Sequence, residues 1–253
     1  MIVINGTPLE RQQLPEFAPD SMETKIANMM FESGETFSFS SLGQLRFELR
    51  LRTEIINASY ELYRSRLQFR VFRDTICNEE YWNRMNDGGF SLKSGVRPSD
   101  AINDIFINSH LYGTECATAM VIVYYRALMN VFPTSRFNEL FSHIYLMDWT
   151  RLDPKLREIG LMRNVSYYLP GDRRYIANPD VDPLTPQWQG ENVIDMGDGL
   201  YYGHGMGIRN TEAIIRALNA NRRPGAQTEA YLMDSAGRPN FSRLYSLYSN
   251  TRT

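Results

Sequence analysis

The chain has 253 residues, of which 43 % are hydrophobic and 22 % are charged, and its formal net charge is -2. This balance excludes the strong charge expected of a nucleic-acid-binding or membrane-surface protein, and the length suits one substantial domain. No apolar stretch reaches the ~18 residues of a membrane span, and the N-terminus lacks the features of a signal peptide, so we expect an intracellular protein.

The first part of the chain, to about residue 100, is predicted to be mostly helical. A capping pattern at Asp20 predicts a first helix to about Ser33. Leucines and isoleucines at helical spacing predict a second, longer helix from Ser40 to about Arg73. The turn sequence at residues 86–89, NDGG, lies between two strand-like segments and indicates a hairpin.

The middle of the chain, from about residue 101 to 221, is predicted to form the catalytic core. A helix that begins at Pro98 leads into it. The next helix has Thr114 as its predicted N-cap, so that Glu115 and Cys116 occupy its first turn. It continues to about Val131 and is apolar nearly all round, which is typical of a buried central helix.

The remaining elements are shorter, and residues 222–253 are predicted to form a tail. Helices come first along the chain and short strands later, so the predicted fold class is α+β. The predicted elements are strands at 144–149 and 174–177, a hairpin of 191–196 with 200–204 around Gly197-Asp198-Gly199, a helix from Asn210 to about Asn221, and a strand at 229–233.

Cys116 is a candidate nucleophile because of its place at the start of a helix. Unpaired backbone N–H groups there favour an anion, and such positions lower a thiol pKa from about 8.5 to roughly 3.5–7.5. An ionised Glu115 would oppose this effect, whereas a protonated Glu115 could share a proton with the thiol. The alternative is a small buried structural cysteine, as we expect for Cys77.

His204 and Glu191 lie on the two predicted strands of the second hairpin. In two of the three plausible turn registers their side chains share a face of the sheet, and a three-residue loop would put Asn192 there instead. A cysteine on a buried helix, followed much later by a histidine on a strand and a polar third residue, is typical of papain-like catalysis.

Four segments carry a resemblance to a known family. They are YGTECATAMVIVYYRAL (112–128), YLMDW (145–149), LPGD with NPDVDP (169–183), and QWQGENV with YGHGMGI (187–208). With these segments in order and at matching spacing, the chain resembles the small transglutaminases of endospore-forming bacteria, which cross-link spore-coat proteins. The resemblance extends over most of the chain and implies one transglutaminase domain, residues 1–253.

The resemblance also implies a fold and a set of catalytic residues. The fold would be a compact papain-like core, preceded by helices, with the nucleophile at the N-terminus of the buried central helix. Cys116 matches the nucleophile, Glu191 its acidic partner and Glu115 a second acid that could replace it. His204 matches a histidine near the site.

Substrate contacts are implied in the same way. Trp149 and Trp188, together with Phe69, match aromatic residues that line a substrate tunnel, and Asn192 is expected to contact substrate as well. The expected partners are spore-coat proteins that carry glutamine and lysine, and the expected location is the mother-cell cytoplasm and the spore coat. Calcium, other metals and cofactors are not expected.

The implied reaction joins a glutamine side chain to a lysine amine through a thioester on Cys116. Two alternatives remain at this level. A papain-like cysteine peptidase or amidase would use the same Cys116 and His204 but pass the acyl group to water. A non-catalytic coat or scaffold protein would be expected to have lost one of the catalytic side chains.

Overall fold

The computed structural model describes residues 1–14 and 17–250 of the chain. Within these ranges, helices and short strands are mixed, in agreement with the predicted α+β class. The helices are α1 (Met22–Glu32), α2 (Leu42–Arg64), α3 (Pro98–Ile107), α4 (Cys116–Val131), α5 (Thr134–Leu140), α6 (Thr211–Asn219) and α7 (Phe241–Ser249). The strands are β1 (Ile2–Ile4), β2 (Thr7–Pro8), β3 (Phe37–Phe39), β4 (Gln68–Phe69), β5 (Trp82–Arg84), β6 (Phe90–Leu92), β7 (Gly113–Thr114), β8 (Tyr145–Leu146), β9 (Arg163–Asn164), β10 (Arg173–Ala177), β11 (Gly190–Gly197), β12 (Leu200–Gly203), β13 (Gly207–Asn210), β14 (Tyr231–Leu232) and β15 (Ser235–Ala236).

Helix α4 is the buried centre of the molecule, as its apolar sequence predicts. It packs against α2 and against β11 of the main sheet. Residues 120–123, Met-Val-Ile-Val, have no solvent exposure. Each large aliphatic side chain contributes roughly 1.5–3 kcal/mol when it is fully buried, so α4 holds its N-terminal residue in a fixed position.

The main sheet has five strands in the order β13-β12-β11-β10-β14. Each neighbouring pair is antiparallel. The eight-residue strand β11 lies at the centre of the sheet, and seven of its residues are buried. It therefore presents polar side chains, Glu191 and Asn192 among them, inside the protein.

Helix α2 ends at Arg64, nine residues before its predicted end at Arg73. The apolar spacing that predicts the helix stops at Leu62. Ser65 then adopts an extended conformation, and its Oγ donates to the Leu62 carbonyl at 2.7 Å. The following residues instead form β4, which pairs in parallel with β7, directly before Glu115. This correction brings Phe69 next to the start of α4.

Two other predictions are corrected by the structure. The strand predicted at 144–149 is limited to β8 (Tyr145–Leu146). The tail contains a helix, α7, which packs on α2 with Phe241 and Leu244 buried. The N-cap Asn240, followed by apolar residues at helical spacing, is a signal that could have predicted α7.

A buried carboxylate, Asp172, connects distant parts of the chain. It accepts hydrogen bonds from Arg52 Nη1 at 2.8 Å, from Arg238 Nε at 2.7 Å and from the Leu169 N–H at 2.9 Å. Burial alone would raise the pKa of Asp172, but the two guanidinium groups outweigh it and hold that pKa below its ordinary value. Asp172 thus ties α2 to the segment that precedes α7.

Three lysines occur in the sequence, and each one has a polar partner. Lys25 pairs with Asp198, Lys93 donates to the Glu79 carbonyl, and Lys155 lies 3.4 Å from Asp153 Oδ1. In the described residues, no helix has the length and hydropathy needed to cross a membrane.

Candidate active site

Cys116 is the first residue of helix α4, and Glu115 is its N-cap. The Glu115 carboxylate accepts hydrogen bonds from the Ala117 N–H at 2.5 Å and from the Thr118 N–H at 2.8 Å. The predicted N-cap, Thr114, is wrong because Thr114 belongs to β7, where its carbonyl accepts from the Arg70 N–H. The strand pairing keeps Thr114 extended, so the helix begins one residue later than predicted.

The Cys116 side chain faces a cavity of about 960 Å³ and is partly exposed to it. Phe69 and Trp149, two of the predicted tunnel aromatics, line this cavity. Trp188 packs instead against the apolar cluster formed by Ile176 and its neighbours, while Pro186, Gln187 and Gln189 contribute to the cavity wall. The structure therefore places two of the three aromatics beside the thiol.

Asn192 is a polar side chain that contacts the Cys116 thiol directly. Its Nδ2 donates to Cys116 Sγ at 3.6 Å. It lies on β11 opposite Tyr175 of β10, and its side chain is buried. The sequence predicts a substrate contact for Asn192, and the structure adds a direct contact with the Cys116 thiol.

The Cys116 thiol is not a resting thiolate, contrary to the expectation from its helix position. Burial, followed by the negative charges of Glu191 and Glu115, raises the pKa of Cys116 to about 12. A helix N-terminus offers only about half an elementary positive charge. Burial and the two carboxyl groups outweigh it, so the thiol is protonated near pH 7.

Glu191 and Glu115 differ in how their carboxyl groups are used. Burial raises the pKa of Glu115, but its bonds to Thr118 and Ala117 favour the ionised form. Burial and the nearby Glu115 raise the pKa of Glu191 well above its ordinary value, and Glu191 Oε1 has no hydrogen-bond partner. Protonation of Glu115 would cost two helix-capping bonds, so Glu191 is the carboxyl group that can gain and lose a proton freely.

The register of the β11–β12 hairpin differs from the two registers that bring Glu191 and His204 to one face. Gly197 lies opposite Leu200, but a bulge between Asp195 and Gly197 shifts the pairing so that Val193 faces Gly203. The Asp195 carboxylate accepts from the Gly197 N–H at 2.8 Å and supports this bulge. If the same register continues by one residue, Asn192 lies opposite His204.

Gly203 is the residue that makes room for Glu191. A Cβ atom at position 203 would lie 2.8 Å from Glu191 Oε1 and 2.9 Å from its Cγ. Any larger residue would push the carboxyl group out of its place.

His204 is buried at the edge of the site. Its Nε2 lies 3.2 Å from the Gln68 carbonyl, and its ring centroid is 6.0 Å from that of Phe69. Burial lowers the pKa of His204 to about 4, so the imidazole is neutral near pH 7. In this position it supports β4 and the adjoining start of α4. A catalytic role for His204 remains a prediction.

Arg173 is a residue of the site that the sequence did not reveal. Its Nη1 donates to Asn192 Oδ1 at 2.7 Å, its Nε donates to the Ile159 carbonyl at 3.0 Å, and its guanidinium lies 4.1 Å from the Trp149 ring centroid. Arg173 immediately precedes the predicted strand at 174–177. No local pattern distinguishes it from the many other arginines of the chain.

In residues 1–14 and 17–250, no group of three or more His, Cys, Asp or Glu side chains is arranged to hold a metal ion.

Comparisons with known proteins agree on one family. A family model described as protein-glutamine gamma-glutamyltransferase matches residues 1–248. The chain is 42% identical over 254 residues to a protein of that name from Bacillus cereus (strain B4264), with 100% of this chain and 91% of the relative covered. It is 41% identical, with the same coverage, to one from Bacillus anthracis (strain CDC 684 / NRRL 3495). A solved structure described as a transglutaminase from Geobacillus stearothermophilus, without its C-terminal extension, is similar with a TM-score of 0.77 and 50% identity, covering 81% of this chain and 97% of that chain.

Proposed function

Since the chain belongs to the protein-glutamine gamma-glutamyltransferase family, we propose that it joins glutamine and lysine side chains of proteins through a thioester on Cys116. The observation that carries this proposal is the Cys116 thiol, which opens into a cavity and is electrostatically coupled to the buried carboxyl groups of Glu191 and Glu115. The family defines the overall reaction, and the site supplies the groups that each step needs.

In the first step, Cys116 Sγ attacks the side-chain carbonyl carbon of glutamine. The thiol proton passes to the Glu191 carboxylate and from there to the departing nitrogen, which leaves as ammonia. A thioester remains on Sγ. Because the thiol pKa is high, proton removal has to accompany the attack, and this requires the nearby base.

In the second step, a neutral lysine amine attacks the thioester carbonyl. The amine loses a proton to the Glu191 carboxylate, the C–S bond breaks, and Sγ recovers a proton as the isopeptide bond forms. We assign Glu191 as the base because its carboxyl group has an unpartnered oxygen, whereas Glu115 caps α4. His204, with its lowered pKa, would support the site in the neutral form.

Water competes with the lysine amine for the thioester. Apolar walls at Phe69 and Trp149 favour the aliphatic stem of lysine and reduce the number of water molecules near Sγ. Trp188, which lies outside the cavity lining, would contact the part of a substrate that remains outside the cavity.

The finer features of the proposal follow the sequence resemblance. We propose a single transglutaminase domain, because one apolar cluster includes residues from Phe47 of α2 to Leu244 of α7. We also propose a papain-like core, because Cys116 is the first residue of the buried helix α4, which packs against β11 of the main sheet. We also propose that calcium is not required, since each transfer step above uses side chains of the chain itself. The proposed substrates are spore-coat proteins, in line with the resemblance and with the Bacillus relatives.

The test is the incorporation of a fluorescent primary amine into a glutamine-bearing protein in the presence of a calcium chelator. We expect the wild-type chain to incorporate the amine and Cys116→Ala to lose at least about 10³-fold of that activity. Cys77→Ala is the matched control, because the Cys77 thiol is the other one in the chain, and it should retain activity.

Two results would contradict the proposal. Incorporation that persists in Cys116→Ala would exclude Cys116 as the nucleophile. Release of ammonia without amine incorporation, again dependent on Cys116, would identify a hydrolase, as in the papain-like alternative.

A further inference from the structure

Three side chains form a continuous polar chain that ends at the nucleophile. Arg173 Nη1 donates to Asn192 Oδ1 at 2.7 Å, and Asn192 Nδ2 donates to Cys116 Sγ at 3.6 Å. Arg173 and Asn192 are both buried, with exposed fractions of 2% and 6%. The arrangement is therefore internal and independent of any substrate.

The donor and acceptor groups of these three side chains fix the direction of the hydrogen bonds between them. An arginine guanidinium only donates, so the Asn192 oxygen has to face Arg173 and the Asn192 NH₂ group has to face the sulfur. If Arg173 did not hold the oxygen, the amide could rotate and turn its acceptor towards Sγ. An acceptor in that place would oppose negative charge on the sulfur instead of stabilising it.

Arg173 is an unusual group to bury. Among the described residues, no carboxylate pairs with its guanidinium, and its Nη2 has no hydrogen-bond partner. Burial of an unpaired charge destabilises a fold, although stacking on the Trp149 ring offsets part of the cost. Burial also lowers the pKa of Arg173, whereas the charges of Tyr124 and Cys116 raise it, so the guanidinium interacts electrostatically with the thiol.

We propose that Arg173 is a positioning residue for the acyl-transfer chemistry. It orients Asn192 so that the amide donates to Cys116 Sγ as the sulfur gains negative charge, and it adds a buried positive charge to a site that otherwise contains acids. This inference rests on the proposed function of Cys116 as the nucleophile.

Several ionisable groups besides Arg173 face the thiol. Glu191 on β11 and Glu115 before α4 both raise the pKa of Cys116. Burial, followed by the charges of Cys116 and Glu191, raises the pKa of Tyr175 on β10. The acids oppose thiolate formation, and Tyr175 is neutral near pH 7. The backbone N–H and the side chain of Asn192 both lower the pKa of Cys116 and so favour the thiolate. Arg173 acts on the side-chain part of this effect, through its bond to Asn192 Oδ1.

The test measures the thiol directly, through its rate of alkylation by iodoacetamide as a function of pH, in a Cys77→Ala background. We expect Arg173→Met to shift the pH–rate profile towards higher pH by about one unit, so that alkylation at a fixed pH is about tenfold slower. The alkylation profile of Arg173→Lys, which keeps the charge and a hydrogen-bond donor, should lie between the profiles of the Met variant and the parent.

A matched control is available at the next position. Arg174 is also buried, donates to the carbonyls of Met233 and Ser235, and lies 3.4 Å from the Tyr168 ring centroid. Arg174→Met removes a buried guanidinium without touching Asn192. It should lower the melting temperature and leave the alkylation profile in place.

A double-mutant comparison covers the case in which Arg173→Met folds poorly. Asn192→Ala alone should slow alkylation by a similar factor, and adding Arg173→Lys to it should cause no further loss, because both residues act through one bond. An unchanged profile in a folded Arg173 variant, or additive losses in the double variant, would overturn the proposal. Alkylation needs no acyl transfer, so this test can fail while the amine-incorporation test succeeds.

Discussion

Asp172 and Arg173 are neighbours in the chain but belong to electrostatically opposite regions. The Asp172 carboxylate is completely buried and is bonded to Arg52, Arg238 and a backbone N–H. One residue later, Arg173 lines the cavity that also contains the Cys116 thiol, and its Nη2 has no hydrogen-bond partner. Glu191, whose charge raises the pKa of that thiol, has an unpartnered Oε1 as well. Buried charges are paired where they join helices and are left incompletely paired around the thiol.

The pKa shifts of the two buried acids have opposite directions. Two guanidinium groups overcome the effect of burial and keep the pKa of Asp172 low, whereas burial and Glu115 raise the pKa of Glu191. The Asp172 carboxylate is therefore charged near pH 7, and its role is to stabilise the fold. Glu191 can change its protonation state, which is the property that catalysis needs.

The largest expected effect is a loss of activity in the Glu191→Gln variant. Glutamine has nearly the same shape but cannot accept the thiol proton, so we expect amine incorporation to fall about 10²–10⁴-fold. The free energy of unfolding near neutral pH should change by less than about 1 kcal/mol, since no strong bond to Glu191 is lost. Steady-state kinetics and urea unfolding of the same preparation check both parts.

The pH dependence of stability sharpens this prediction. The raised pKa of Glu191 means that its contribution to stability is present below its ordinary pKa and is lost as the pH rises through the raised value. Glutamine does not titrate. Relative to wild type, Glu191→Gln should therefore gain stability as the pH increases, and parallel stability curves would contradict the assignment.

The next effect is on stability, in Asp172→Asn. Loss of the carboxylate leaves Arg52 and Arg238 buried without their partner, which should cost about 3 kcal/mol of unfolding free energy. The loss should shrink at acid pH, because the contribution of a carboxyl group with a lowered pKa is present above its ordinary pKa and disappears as the pH falls through the lowered value. Urea titrations at several pH values measure it.

Asp198→Asn is the matched control for this variant. Asp198 pairs with Lys25, but its side chain is 75% exposed, so the change should cost less than about 1 kcal/mol. The activity per folded molecule should survive in both variants. A selective loss of activity in folded Asp172→Asn would break the distinction between the two regions.

The smallest expected effect is in His204→Gln. Glutamine can still donate to the Gln68 carbonyl, and His204 is neutral near pH 7 because its pKa is lowered to about 4. Amine incorporation should fall by less than about threefold, without a change in the shape of its pH profile. The loss of a titrating limb on the acid side of the pH profile would instead identify His204 as a catalytic base.

The sequence was sufficient for the parts of the fold that depend on local patterns. The apolar run after Cys116 predicted a buried helix, and the Gly-Asp-Gly turn predicted the hairpin that contains Glu191 and Asn192. Both follow from periodicity and turn chemistry, which neighbouring residues determine. The roles of these residues in the reaction remain predictions.

The features of the site that the sequence does not predict depend on contacts between distant segments of the chain. The bulge that separates Glu191 from His204 is supported by the Asp195 side chain and by backbone bonds between Asp195 and residues 171 and 172. Arg173 gains its place from Asn192 and Trp149, which no local pattern connects to it. Sequence spacing alone could not order these groups in space.

The small number of lysines has a consequence in polymer chemistry. A molecule becomes part of a cross-linked gel only through the groups that it offers to the growing network. As an amine donor this chain offers three at most, and Lys25, Lys93 and Lys155 would each have to leave a present partner. We therefore expect the chain to enter a gel made by its own reaction only rarely as an amine donor.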